Sequence, residues 1–221
     1  MTGMICVLTG DLVHSTRMPA DHLQALMAAL AEEADHVRRW TSPASPRMER
    51  YRGDGWQLAL TEPAHALRAG LLLRASLKRV DQDVDTRIAF GLGEGVVETK
   101  LAESRGRAFE RSGRQLERIK GADRWAVVGD PGDLPFLPLL HALFAACEAL
   151  CGDWTSKQAD VFARIAHRER DKHKKPTYDE LAKELGVTRQ TVQEHFAKSN
   201  GRALLRSIQG FEQALGRNRA E

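Results

Sequence analysis

Two aspartates in this 221-residue chain stand where short apolar segments break. Asp11 closes the run Met4-Ile5-Cys6-Val7-Leu8-Thr9-Gly10, which reads as a buried strand; Asp54 sits in Gly53-Asp54-Gly55, a turn inside the largely apolar stretch 48–60. Two carboxylates at neighbouring strand ends can hold a hard divalent cation, Mg2+ or Mn2+. Magnesium takes a few carboxylate oxygens, keeps several waters and is completed by substrate phosphates, so Asp11 and Asp54 are candidate ligands of a metal-nucleotide. Arg50 and Arg52, beside the turn, are candidate phosphate contacts; on a half-exposed strand they would simply be solvated. Taken alone, Gly53-Asp54-Gly55 is also explained by a tight hairpin, which favours both residue types.

The other end of the chain carries chemistry of a different kind. From Thr177 to Phe196 two short helical patterns flank Gly186. Thr177 caps the first, whose inner face is Leu181, Ala182 and Leu185, and small Ala182 admits the second helix closely. Gly186 supplies the left-handed turn, and Thr188 caps the second helix. Val192 and Phe196 then point inward, leaving Arg189, Gln190, Gln193 and His195 outward for phosphates and base edges. Thr188, Arg189, Gln190 and Gln193 are the candidate DNA contacts; the plain alternative is an ordinary helical hairpin.

These groups need elements to position them. Strand 4–10 leads into an amphipathic helix over 20–40, then a Pro- and Ser-rich breaker at 41–46, the hairpin around Asp54, and a helix over 63–80 with Pro63 in its first turn. Thr86 to Leu92 and Gly95 to Thr99 read as a third strand pair, followed by a helix over 108–120 and a strand at 125–128. That order resembles a ferredoxin-like sheet with helices on one face and one open site. Two prolines and two glycines in the stretch 129–135 mark the boundary between domains at 1–133 and 134–221. Beyond it the pattern is helical, with a connector over 136–151 and a capping box of Thr155 and Gln158 opening the next helix. The fold class is therefore α+β, a palm followed by an all-α unit.

Composition sets outer bounds. At 42% hydrophobic residues the chain buries a real core, and its net charge of +3 belongs wholly to residues 136–221, with 14 Lys and Arg against 11 Asp and Glu. That mildly favours a polyanion partner there. Cys6, Cys147 and Cys151 lie in apolar surroundings without metal-ligand spacing, as buried thiols of a reducing cytoplasm do. The longest apolar stretch, 134–150, is broken by Pro135, Pro138, His141 and Glu148, so no membrane partner is expected. His14-Ser15 reads as a helix cap, and Gly91, Gly93 and Gly95 do not form a dinucleotide fingerprint.

In order and spacing, Gly10-Asp11, Arg52-Gly53-Asp54-Gly55, Arg87 to Gly95 and Gly106 to Arg114 resemble the class III nucleotide cyclase core over residues 4–128. The resemblance implies that Asp11 and Asp54 bind metal, and that a later helix offers groups to the nucleotide across a homodimer interface. Arg114 matches the transition-state arginine, and is catalytic if the site is active; Glu110 stands where that family has Asn, and Arg107 near a usual acidic position. The helix pair, led by Trp154-Thr155-Ser156-Lys157-Gln158, resembles the helix-turn-helix of sigma-factor-like regulators. Together with Gly10-Asp11-Leu12-Val13-His14-Ser15 and Arg52-Gly53-Asp54-Gly55-Trp56-Gln57, this is similar to the SatD family. The expectation is a cytoplasmic, homodimeric transcription regulator with a metal-nucleotide sensor. The alternatives are a nucleotidyl cyclase or related phosphoryl-transfer enzyme with a helical dimerisation tail, and a palm that serves only as a dimerisation scaffold.

Overall fold

The computed structural model describes residues 3–40, 47–51, 53–172 and 177–217; Arg52 and the breaker at 41–46 lie outside them. β1 (Gly3–Leu12), the middle strand of five, is buried on both faces from Ile5 to Gly10. It runs antiparallel to β3 (Gly55–Leu60) on one side and to β4 (Thr86–Gly95) on the other. β2 (Glu49–Tyr51) forms a hairpin with β3, and β5 (Trp125–Val128) adds parallel to β4. The result is a mixed sheet, ordered β2-β3-β1-β4-β5, in an α+β fold with eight α-helices among the described residues.

Residues directly opposite one another on neighbouring strands share a face. The register pairs Glu49 and Thr9 with Gln57, Tyr51 with Gly55, and Asp11 with Arg87, so these polar side chains lie on one face. On the other face Leu8, Trp56, Leu58, Phe90 and Trp125 make the main core with α1 (Ala20–Arg38), α2 (Ala66–Val80) and α4 (Leu137–Cys151). Phe90 meets Phe144 edge to face at 4.8 Å.

The helical half covers α2 from outside. α5 (Ser156–Lys172), whose start carries the reciprocal Thr155 and Gln158 bonds at 3.0 and 3.3 Å, lies on α2, and every residue from Ala66 to Lys78 is buried. Two arginines of α2 are consequently inside and must be compensated, because a buried unpaired cation is costly. Arg68 donates twice to Glu212 of α8 (Gly201–Arg217), at 2.8 and 3.0 Å, and once to the Ala166 carbonyl. Arg74 donates to both oxygens of Asp85 and to the Glu148 carbonyl. One core cluster runs through Leu8, Leu71, Phe144, Phe162 and Phe211, continuous across the Pro- and Gly-rich stretch 129–135.

Two expectations are corrected. The glycines of 91–95 do not break a strand pair: β4 is one strand, and beyond it Val96 makes only an isolated bridge with Arg105. Nor do all helices share a face, because α3 (Arg107–Leu116) lies on the polar one. The second has a local cause. A Cβ at Gly91 would stand 2.3 Å from the Ala108 carbonyl oxygen and 2.8 Å from the Ser112 nitrogen, so glycine is what lets α3 lie on β4.

Cys6, Cys147 and Cys151 are buried and unpaired in disulfides, and burial pushes the Cys151 thiol up to about 12. No helix among the described residues is long and apolar enough to cross a membrane.

Candidate functional site

Asp11 and Asp54 reach the same cleft from different elements. It measures about 740 Å³ and opens between the hairpin, the ends of β1 and β4, and Gly113, Leu116 and Glu117 at the end of α3. Its floor is a directed chain of hydrogen bonds. Gln57 Nε2 donates to Thr9 Oγ1 at 3.0 Å, Thr9 to Ser112 Oγ at 2.8 Å, and Ser112 to the Phe109 carbonyl at 3.1 Å. The chain ties β3 and β1 to α3 and fixes the rotamer of every member. Glu49 accepts the backbone N–H of Leu101 at 2.8 Å, anchoring the short turn Leu101–Glu103 beside the cleft, and Tyr51 stands half exposed at the rim.

Neither carboxylate is idle. Arg87 Nε donates to Asp11 Oδ1 at 2.8 Å and Nη2 to Oδ2 at 2.5 Å, a bidentate pair set by their direct opposition in the β1–β4 register. The Asp11 bond raises the Arg87 pKa, burial opposes it, and the charges of Asp11 and Asp54 add to the rise. Asp54 Oδ2 accepts Ser15 Oγ at 2.5 Å, so Ser15 links the strand-to-helix turn to the hairpin rather than only capping a helix. His14, just before it, adopts a left-handed conformation with φ 60°.

The residues expected at this site are divided by the structure. Asp11 and Asp54 line the cleft; Arg50 bonds back to the Gly53 carbonyl on the other side of the strand, and Arg52 lies outside the described residues. Glu110 and Arg114 are exposed on α3, 3.4 Å from one another, and do not line the cleft. The cleft instead holds Thr9, Glu49, Gln57 and Arg87, which local pattern reading missed. One signal was available: Arg87 opens an apolar strand as Asp11 closes another, and in an antiparallel pair the end of one strand meets the start of the next.

As a metal centre the donor set is occupied from within. Both oxygens of Asp11 are engaged by a guanidinium, and among the described residues no group of three His, Cys, Asp or Glu is arranged to hold an ion. A divalent cation at Asp11 would compete with the Arg87 guanidinium, which lies beside the same cleft, for the carboxylate. The salt bridge thus has the charge pattern of a metal-phosphate pair, carboxylates for the cation and a fork of N–H donors for the anion.

The second site is the helix pair. α6 (Tyr178–Leu185) begins with a full capping box, Glu180 N to Thr177 Oγ1 at 3.3 Å and Thr177 N to Glu180 Oε2 at 3.0 Å. Gly186 is left-handed at φ 64°, and Thr188 caps α7 (Arg189–Lys198) by accepting Thr191 N at 3.1 Å. Val192 and Phe196 are buried, whereas Thr188, Arg189, Gln190 and Gln193 are exposed together; His195 is half buried. The far end of α7 is pinned to the rest of the molecule. Trp154 Nε1 donates to the Ser199 carbonyl at 2.9 Å, and Asn200 Nδ2 to the Leu150 carbonyl at 3.0 Å.

No protein-family model matches the chain, and no curated protein matches it either.

Proposed function

We propose that this protein is a DNA-binding transcription regulator of the SatD kind, in which a cyclase-like palm binds a metal-nucleotide and a helix-turn-helix reads DNA. The observation that carries the reading is the α6–α7 pair: a capped first helix, a left-handed glycine and a capped second helix that presents Thr188, Arg189, Gln190 and Gln193 to solvent. An exposed Arg and Gln on the first turn of such a helix suit bidentate contacts to guanine and adenine edges. The strand order β2-β3-β1-β4, with β1 antiparallel to both neighbours, supports a ferredoxin-like palm.

In the palm, Asp11 and Asp54 would hold Mg2+ or Mn2+, which neutralises phosphate charge when bound. Arg87, released from Asp11, would take phosphate oxygens. Gln57 and Thr9 orient the cleft floor. Because Glu110 and Arg114 are exposed and paired with each other, any role for them in nucleotide binding lies with the cleft of a second copy, in keeping with a homodimer. What weighs against the phosphoryl-transfer reading is Glu110, an acid where the cyclase family has Asn, which sets a negative charge on the helix that would meet the nucleotide.

Selection of bound duplexes from a random pool tests the DNA reading. Wild-type protein is expected to enrich a short motif, and Gln190→Ala to relax it at one position; a pool that stays random after several rounds would falsify the reading.

A further inference from the structure

Beside the face that carries Arg189 and Gln193 lies a groove. Two adjoining hollows, about 610 and 390 Å³, share Tyr178, Phe196 and Arg202, and together they run between the start of α6, α7 and α8. Arg189 and Gln193 stand on the α7 side, Arg202 and Arg206 on the α8 side. The floor is aromatic, with the rings of Tyr178 and Phe196 at 6.1 Å.

The groove is built rather than incidental. α8 can start so close to α7 because Gly201 carries no side chain: a Cβ there would be 2.1 Å from the Phe196 ring. Asn200, left-handed at φ 56°, makes the corner and is tied to Leu150. The two walls are therefore held at fixed separation before anything binds.

Its charge is lopsided. Three guanidiniums face one carboxylate, Asp179, which sits 3.8 Å from Arg189. Arg202 and Arg206 are exposed, and among the described residues neither makes a hydrogen bond or an ion pair. They are four residues apart on one helix, hence stacked on one face about 6 Å apart. Two unpaired arginines in register, bordering a rigid groove next to a base-reading helix face, suit a run of phosphates.

We propose that Arg202 and Arg206 of α8 form a phosphate clamp for duplex DNA, seating the sugar-phosphate backbone in the α7–α8 groove while Arg189, Gln190 and Gln193 address the bases. The clamp rests on the DNA-binding reading and adds to it the residues that position the duplex without reading its sequence. Contacts of that kind strengthen binding to every sequence alike and release counterions, about 0.9 per neutralised phosphate.

The test is fluorescence anisotropy on two labelled 30-base-pair duplexes of unrelated sequence, titrated between 50 and 300 mM KCl with full-length protein. The Arg202→Gln/Arg206→Gln variant is expected to lose affinity for both duplexes by the same factor, roughly tenfold, with its salt slope reduced by about 2. Arg202→Lys/Arg206→Lys, which keeps the charge, restores most of the slope. Thermal melting of each variant verifies that these exposed substitutions leave the fold intact. An unchanged slope and affinity in the Gln variant, with wild type binding duplex normally, overturns the clamp and leaves the DNA reading standing. No binding by wild type to any duplex overturns both.

Discussion

Arg87 holds Asp11 through two parallel hydrogen bonds, 2.8 and 2.5 Å long, across the β1–β4 pairing. The position at which a divalent cation would meet the palm thus contains a tethered organic cation. Replacing Arg87 by Met removes the competitor and retains most of the side-chain bulk. Mn2+ binding, followed by electron paramagnetic resonance, is expected to tighten roughly tenfold, the worth of a partly exposed ion pair of about 1 kcal/mol or slightly more. Nucleotide binding in the same variant weakens, because the phosphate loses its guanidinium. Unchanged Mn2+ affinity in Arg87→Met refutes the exchange.

Glu212 provides a pH signature of the contact between the two halves. Burial pushes its carboxyl up, but hydrogen bonds from His65 and Arg68 and their charges more than offset this, leaving the pKa at about 2 instead of the ordinary 4.5. A carboxylate whose pKa is lower in the folded state adds stability that is fully present above about pH 4.5. That contribution is lost as pH falls toward 2. Urea denaturation between pH 7 and pH 3 should show up to about 2 kcal/mol draining away over the acid end of that range. Glu212→Gln should flatten the acid slope and, by stranding the buried Arg68 cation, cost roughly 3 kcal/mol at pH 7. An acid slope unaltered in Glu212→Gln contradicts the assignment.

Gly91 should tolerate no side chain. Its Cβ would meet backbone atoms of α3, at 2.3 Å from the Ala108 carbonyl oxygen, and backbone cannot rotate away. Gly91→Ala is expected to destabilise by roughly 1–3 kcal/mol, the usual range for overpacking. Because Gly113 and Leu116 of α3, and Glu117 just after it, line the cleft, the shift should also weaken nucleotide binding. Calorimetric melting and a nucleotide titration check both; a melting temperature equal to wild type contradicts the packing account.

The legible parts of this fold were those with local causes. Thr155 with Gln158, Thr177 with Glu180, and Thr188 cap helices by bonds made within three residues, and Gly186 answers a backbone demand at its own position, so each was readable from spacing. Asp11 and Asp54 were legible as carboxylates at strand ends, and they do line one cleft. Register, by contrast, is a property of two strands at once: the engagement of Asp11 by Arg87 lies between residues 76 positions apart, and neither segment alone shows it, only their placement at the end of one strand and the start of another. The glycines of β4 misled for a related reason. A helix arriving from later in the chain requires Gly91, and β1 crowds Gly95, and nothing in 86–95 distinguishes those needs from a turn. The full burial of α2 likewise depends on α5 and α8, which follow it by more than 70 residues.

If the proposed reading holds, occupation of the Asp11–Asp54 cleft changes the affinity of the α6–α7 pair for DNA. The α2–α5 packing, together with the Arg68–Glu212 contact between α2 and α8, gives the two sites a shared rigid frame through which such coupling can act. The most direct measurement is the dissociation constant of full-length protein for its selected duplex at fixed salt, with and without Mg2+ and each nucleoside triphosphate in turn. A change of about fivefold or more with at least one nucleotide is expected, present in wild type and absent in Asp54→Asn. A dissociation constant that stays the same under every nucleotide and metal condition contradicts it.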